Sequence, residues 1–382
     1  MEPWTIHHFQ REAASIHPEP IVSNLSDYIR NLKQLNIPVI FSLAHLSKIT
    51  HLDMDFLINS INRKREAANY KLFAVAKRSG GRRFIHAPTK RILALQAFVN
   101  KYILQKLSPH PMAFAYTRAG GIGKCAEQHL GARWLLRFDL KDFFYSICEY
   151  SVYKIFKKLG YTRLLSFELA RLVTTTRLPE AKRYFLRKPL CASVYDGLTE
   201  DIQLIYSISD VGVLPQGAPS SPMLSNLVAF QLDCDLTEYA HQANMVYSRY
   251  ADDIFLSCYK LPKGESIQSI RKEVVNIIAN NRFKENKNKF HVSGPGARKL
   301  MLGLLIDGDR IRISKFLAKR ILLKLYIINK YGLSLAAKKF NFDSSFGLYN
   351  HIQGLIAYVK EGDRKKWEQF HEQFMQIRPE WI

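Results

Sequence analysis

Two adjacent carboxylates, Asp252 and Asp253, stand between two apolar runs, Met245-Val246-Tyr247 and Ile254-Phe255-Leu256. A third, Asp139, ends the run Trp134-Leu135-Leu136-Arg137-Phe138. Like charges brought together repel, and a divalent cation is the natural group to neutralise them. An Asp-Asp pair in a turn is commonplace, and most such pairs only solvate a loop. Asp139 changes that reading. In an antiparallel sheet, a strand ending in Asp beside a hairpin tipped with Asp-Asp clusters three oxygen donors. Mg2+ takes a few carboxylates together with phosphate oxygens and water. Two such ions about 3.5–4 Å apart can activate an attacking hydroxyl and stabilise a leaving pyrophosphate. The chemistry implied is nucleotidyl transfer.

The rest of the composition agrees with a phosphate-rich partner. Lys and Arg number 56 against 33 Asp and Glu, a formal charge of +23 over 382 residues. Such a charge attracts polyanions, and nucleic acid is the expected one because neutralised phosphates release counterions. A membrane surface is the rival, but no apolar run approaches the ~20 residues of a spanning helix and no lipidation motif is present. The first residues, Met1-Glu2-Pro3-Trp4-Thr5-Ile6-His7-His8, lack the basic-then-apolar pattern of a secretory signal. Cys125, Cys148, Cys191, Cys234 and Cys258 are scattered and make no Cys-x-x-Cys pair. They read as reduced thiols of a cytoplasmic protein, not a disulfide frame or a zinc site.

The elements that must position the acids follow from periodicity. Helices are expected over 22–36, with Asn24 or Ser26 as cap, and over 51–64. Tyr70–Lys77 and Arg82–Pro88 alternate around Ser79-Gly80-Gly81, a β-hairpin. Its tip carries Lys77, Arg78, Arg82 and Arg83, either solvated charge that blocks edge pairing or phosphate contacts. Helical spacing covers 90–107 and roughly 149–175. A strand spans 131–139. Residues 176–213 are irregular and surface-exposed, with a basic cluster of Lys182, Arg183, Arg187 and Lys188 and short strands around Tyr195-Asp196-Gly197. Ser221-Pro222 should cap and open a helix with Leu224, Leu227, Val228, Leu232 and Leu236 on one side. A helix over 266–282 and two strands about Ser293-Gly294-Pro295-Gly296 come next. From Ser314 the chain is helical, with Leu317, Ile321, Leu325 and Ile328 toward a core. Lys315 and Lys319 share one ridge of that helix, and Arg320 and Lys324 another. This module is either a second nucleic-acid surface or an amphipathic bundle with solvated lysines.

Three segments together carry a resemblance: Phe138-Asp139-Leu140-Lys141-Asp142-Phe143-Phe144, Leu214-Pro215-Gln216-Gly217-Ala218-Pro219-Ser220-Ser221-Pro222, and Tyr250-Ala251-Asp252-Asp253. In order and spacing they are similar to the A, B and C motifs of reverse transcriptases. The compact length and the Leu-Pro-Gln-Gly-Ala-Pro-Ser-Ser-Pro run most resemble the bacterial retron enzymes, from about residue 45 to the end. The resemblance implies Asp139 and Asp252 as metal ligands with Asp253 beside them, two Mg2+ ions as cofactors and dNTPs as substrates. It implies Phe144 as the residue that excludes a 2′-hydroxyl, and Gln216 and Gly217 as the lining of the template–nucleotide pocket. Arg83 matches an arginine that holds the triphosphate, and Lys289 a lysine near the pyrophosphate; generic surface charge is the alternative for both. His129 closes Cys125-Ala126-Glu127-Gln128-His129, which stands for the family's Asn-Ala-x-x-His and is expected at the RNA. There the asparagine is cysteine, and of the family's Val-Thr-Gly only Gly303 survives in Met301-Leu302-Gly303. These departures leave the subtype and the grip on RNA open.

The fold class implied is α+β: a right-hand polymerase with mixed fingers, an antiparallel-sheet palm and an all-helical thumb. The expected division is a helical extension over 1–50, fingers over 51–132, palm over 133–312 with an insertion near 176–213, and an RNA-binding thumb over 313–382. A retron enzyme copies part of a cognate noncoding RNA (msr-msd) from a guanosine 2′-hydroxyl. Its product is branched msDNA, and it acts in anti-phage defence with a separate effector protein. Other readings are a group II intron or diversity-generating reverse transcriptase, and an RNA-binding scaffold subunit of a defence complex.

Overall fold

The computed structural model describes residues 5–76, 80–186 and 210–379. Lys77, Arg78, Arg187, Lys188 and the strands expected around Tyr195 lie outside the described residues. The chain divides into two compact units, each assembled from separated segments.

The first unit takes Met1–Pro111, Lys141–Leu232 and Asn280–Phe283. Its hairpin forms as the alternation predicts, β1 (Tyr70–Ala76) against β2 (Arg82–Pro88), with Val75 opposite Arg83. Around it are helices at Glu19–Gln34, Leu43–Thr50, Met54–Ile61 and Lys90–Phe98, the last running into a wider turn at Val99–Ile103. Helix starts differ from expectation. The first of these opens at Glu19 behind Pro18, so Ser26 is internal; it is buried, and its hydroxyl donates to the Val22 carbonyl at 2.7 Å. The stretch 149–175 is two helices, Glu149–Lys158 and Arg163–Val173, parted by Gly160 at φ 98°. At Ser221–Val228 the cap position falls on Ser220, whose side chain makes no capping bond.

A buried charge cluster ties this unit together. Glu149 is fully buried, 2.5 Å from the Arg63 guanidinium and 3.2 Å from that of Arg171, and it accepts from the Gly212 amide at 3.0 Å. Burial pushes its carboxyl up, but Arg171 and Arg63 outweigh that and leave it below the usual range.

The second unit takes Met112–Leu140, Asp233–Ala279 and Lys284–Ile382. Its centre is a four-stranded antiparallel sheet of β3 (Trp134–Asp139), β4 (Val246–Tyr250), β5 (Asp253–Cys258) and β6 (His291–Ser293), in the order β4-β5-β3-β6. A smaller sheet joins β7 (Leu300–Met301), β8 (Leu304–Leu305) and β9 (Arg312–Ile313). Three helices end the chain: Lys315–Lys339, interrupted at Gly332 (φ 78°), Ser345–Gly362 and Arg364–Met375. Ile321, Leu325 and Ile328 are buried as their spacing predicts, in one core with Leu304, Leu348, Ile352 and Phe370. Among the described residues no helix is long and apolar enough to cross a membrane. Cys125, Cys148, Cys234 and Cys258 are free thiols.

Removing one partner of a buried ion cluster leaves the others uncompensated. Glu149→Gln is therefore expected to lower unfolding free energy by about 3–5 kcal/mol, read from urea midpoints, while Arg30→Gln at the exposed Arg30–Asp27 pair should cost about 0.5 kcal/mol or less.

Candidate active site

Strand register brings the three acids to one end of the second unit's sheet. Asp139, the last residue of β3, lies directly opposite Asp253, the first of β5. Tyr250 is also opposite Asp253, so Ala251 and Asp252 form a two-residue turn. Such a turn needs left-handed backbone, and Ala251 supplies it at φ 56°. The Leu140 amide donates to the Asp252 carbonyl at 2.8 Å, which joins the end of β3 to the turn itself.

Each carboxylate is balanced differently. Asp139 is buried and bonded to the Lys289 ammonium; it also accepts from the Asn286 side-chain amide at 2.9 Å. The Asn286 backbone amide donates to the Asp139 carbonyl at 2.8 Å. Asp253 accepts from Arg137 Nε and Nη2 at 3.0 and 2.8 Å. Burial raises its carboxyl, and Arg137 opposes the rise. Asp252 has the least relief. Burial, then Asp253 and Asp139, pushes it up to about 6. Among the described residues no three His, Cys, Asp or Glu side chains are gathered as a metal cage. The strand backbones converge, and the Asp139 and Asp253 carboxylates are engaged by Lys289 and Arg137.

Other expected residues lie in the first unit. The Gln216 carbonyl accepts from the His86 amide at 2.8 Å, and Gly217 sits at φ 120°. A Cβ on Gly217 would stand 2.8 Å from the His86 carbonyl oxygen and 3.0 Å from Ile85 Cγ2. The backbone that approaches this glycine is thus that of β2, the strand that carries Arg83. Arg83 is exposed. Phe144 is half-buried, its ring 5.8 Å from that of Phe143. Asp142, two positions before it, is held by Lys182 at 2.7 Å.

Two expected RNA contacts are placed elsewhere. His129 is buried; its Nδ1 meets Ser257 Oγ and its Nε2 meets Ser248 Oγ, both at 2.7 Å. Burial pushes its pKa down to about 3, so it is a neutral strut across β4 and β5 with no surface for RNA. Cys125 joins the same group, its Sγ 3.3 Å from Ser248 Oγ. Lys324 is also buried, its ammonium 3.9 Å from the Phe340 ring centroid and 5.1 Å from that of Phe342. Helical phase explains it: Lys324 is three residues after Ile321 and adjoins Leu325, so it falls on the core side, where the aromatic faces receive its charge. Lys315, Lys319 and Arg320 are exposed.

Arg137, Asn286 and Arg249 were not among the expected site residues. Arg137 had a signal, since position i−2 on a strand shares a face with Asp139. Asn286 stands three residues before Lys289 with no distinguishing pattern.

The family model "Reverse transcriptase (RNA-dependent DNA polymerase)" matches residues 75–304. Retron Ec86 reverse transcriptase of Escherichia coli is 28% identical over 336 residues, 87% of this chain and 88% of that protein. Retron Mx65 reverse transcriptase of Myxococcus xanthus is 30% identical over 79% of this chain and 63% of its own length. Retron Ec73 reverse transcriptase of Escherichia coli is 27% identical over 80% and 87%. With the matched span holding Asp139, Asp252 and Asp253, the chain belongs to the reverse transcriptase family, is an RNA-directed DNA polymerase, and is similar over most of its length to bacterial retron enzymes.

Proposed function

We propose that this polymerase copies part of a cognate retron noncoding RNA (msr-msd) from a guanosine 2′-hydroxyl, leaving branched msDNA, and that it serves anti-phage defence with a separate effector protein in the cytoplasm. The similarity to three retron enzymes supports the substrate class. The observation that carries the chemistry is the pairing of Asp139 with Asp253 beside the Asp252 turn. On this reading residues 51–132 act as fingers, 133–312 as palm and 313–382 as an RNA-binding thumb, after a helical extension over 1–50.

The donor set suits Mg2+. All three side chains offer oxygen only, as that ion prefers. Asp252 carries charge that a cation would settle, and Lys289 and Arg137 already bring positive charge to the other two. Asp139 and Asp252 would hold the ions, with Asp253 beside them. Bound metal would supply charge stabilisation at the attacking and leaving oxygens. The chain's own residues bind and orient. Lys289 offers an ammonium for the pyrophosphate, and Arg83 a planar fork for the triphosphate of a dNTP. Phe144 excludes a 2′-hydroxyl by bulk. Gln216 and Gly217 line the template–nucleotide pocket. Lys315, Lys319 and Arg320 contact RNA phosphates.

Sequencing the nucleic acid bound to the purified protein tests the whole reading: a branched species sensitive to both RNase and DNase is expected, and unextended RNA alone would overturn it. Asp252→Asn should abolish DNA synthesis and leave RNA affinity nearly unchanged. Because it removes a crowded, buried charge, it should also stabilise the protein in chelator at pH 8 by about 1–2 kcal/mol, measured by thermal unfolding. Phe144→Ala should raise ribonucleotide incorporation in primer extension at least tenfold relative to dNTP; unaltered selectivity removes the gate. Replacing Lys315, Lys319 and Arg320 together with alanine should weaken RNA binding most at low salt and flatten the log–log salt slope by about 2. Equal affinity across a salt titration would return the helix to a purely structural role.

A further inference from the structure

Behind the catalytic turn lies a fully buried trio. Arg249, Asp233 and Tyr247 have at most 3% of their surface exposed. Arg249 Nε and Nη2 donate to Asp233 Oδ1 and Oδ2, each at 2.6 Å, and the Tyr247 hydroxyl donates to Asp233 Oδ1 at 2.6 Å. The Arg249 backbone is pinned as well, its amide on the Met112 carbonyl at 2.8 Å and its carbonyl on the Phe114 amide at 2.9 Å. A buried ion pair seldom stabilises a fold more than apolar side chains of the same volume would. Stability alone is therefore a poor account of why charge is placed here.

The third nitrogen of the guanidinium gives a better one. Arg249 Nη1 donates to the Ala251 carbonyl at 2.9 Å. Ala251 is the left-handed residue of the turn, a conformation that strains a non-glycine residue. Its carbonyl belongs to the peptide plane that enters Asp252. The plane that leaves Asp252 is held by the Leu140 amide at 2.8 Å. Both planes flanking Asp252 are thus anchored, and with them the φ and ψ that aim its carboxylate.

We propose that Arg249 is a positioning residue for polymerisation: held by Asp233 and Tyr247, it fixes the peptide before Asp252 so that this carboxylate meets a divalent ion in one orientation. This rests on the reading of Asp252 as a metal ligand. Preorganised ligands lose little when an ion binds, whereas a turn free to rotate does not hold its carboxylate in place.

The test compares the double variant Asp233→Leu with Arg249→Met, which keeps volume without charge, and the single variant Arg249→Lys, which keeps charge without the fork. Mn2+ binding is read by electron paramagnetic resonance on the protein with template–primer and no nucleotide; kcat, KM for dNTP and urea unfolding are read in parallel. The double variant should unfold cooperatively, its midpoint lowered only by the orphaned Tyr247 hydroxyl and Ala251 carbonyl, bind Mn2+ at least tenfold more weakly and lose about 100-fold in kcat, with KM within about twofold. Arg249→Lys should fold cooperatively and show the same pattern, to a smaller extent. Wild-type Mn2+ affinity and kcat in either folded variant would overturn the proposal. If the double variant does not fold, Arg249→Lys decides; should that also fail to fold, the trio is a stability element and the proposal falls. Asp252→Asn is run alongside. If it retains wild-type Mn2+ binding, the ligand reading of Asp252 fails, a result separate from any effect at Arg249.

Discussion

Three carboxylates at one end of one sheet is an arrangement that folding must hold against its own repulsion. The β3–β5 ladder imposes the approach, because residues directly opposite on antiparallel strands have Cα atoms only about 4.5–5.5 Å apart and Asp139 is opposite Asp253. Lys289 and Arg137 relieve two of the three, and the unrelieved strain collects on Asp252, whose carboxyl is held near 6. Much of the second unit works to keep the hairpin there. His129 spans β4 and β5 through Ser248 and Ser257, Asn286 holds Asp139 through both its side chain and its backbone, and Arg249 holds the turn. Stability given up at such carboxylates is the usual cost of a functional site, in keeping with the proposed metal site.

The same economy governs the first unit. In a chain with a +23 excess, acidic side chains are scarce. Glu149 is committed to the interior, where one carboxylate serves two guanidinium groups and a backbone amide. Glu66 extends that cluster: it pairs with Arg63 at 3.0 Å and accepts from the Thr176 amide at 3.2 Å.

Period and turn chemistry made the hairpin at 70–88, the strand ending at Asp139 and the Asp252 turn legible from residues alone. The 70–88 hairpin shows as alternation about a Gly-Gly turn, while the strands about Asp252 show as short apolar runs buried on both faces. The family resemblance then named residues that geometry can only place. Side-chain fates were harder to read. Lys324 shares a helical ridge with the exposed Arg320, yet aromatic rings beyond the end of its own helix, at 340 and 342, receive its ammonium. His129 gives no sign of burial, because the serines that satisfy its ring lie more than a hundred residues away, on strands whose pairing had to be known first. Helix starts were missed where proline replaced a side-chain cap: Pro18 opens the Glu19 helix with fixed φ and no hydroxyl signal.

Gly217 shows how a residue singled out for one role can also answer a demand of the fold. A glycine in the Leu-Pro-Gln-Gly run suggests room for substrate, and that role stays compatible with what is seen. The structure adds a demand from the protein itself. At φ 120° an L side chain is strained in any surroundings, and here its Cβ would press on the His86 carbonyl at 2.8 Å, a backbone atom that cannot swing away. The His86 amide is at the same time bonded to the Gln216 carbonyl, and its ring Nε2 lies 2.8 Å from the Arg177 carbonyl. A larger residue at 217 must therefore shift either its own loop or the β2 backbone at His86. β2 is also the strand that bears Arg83.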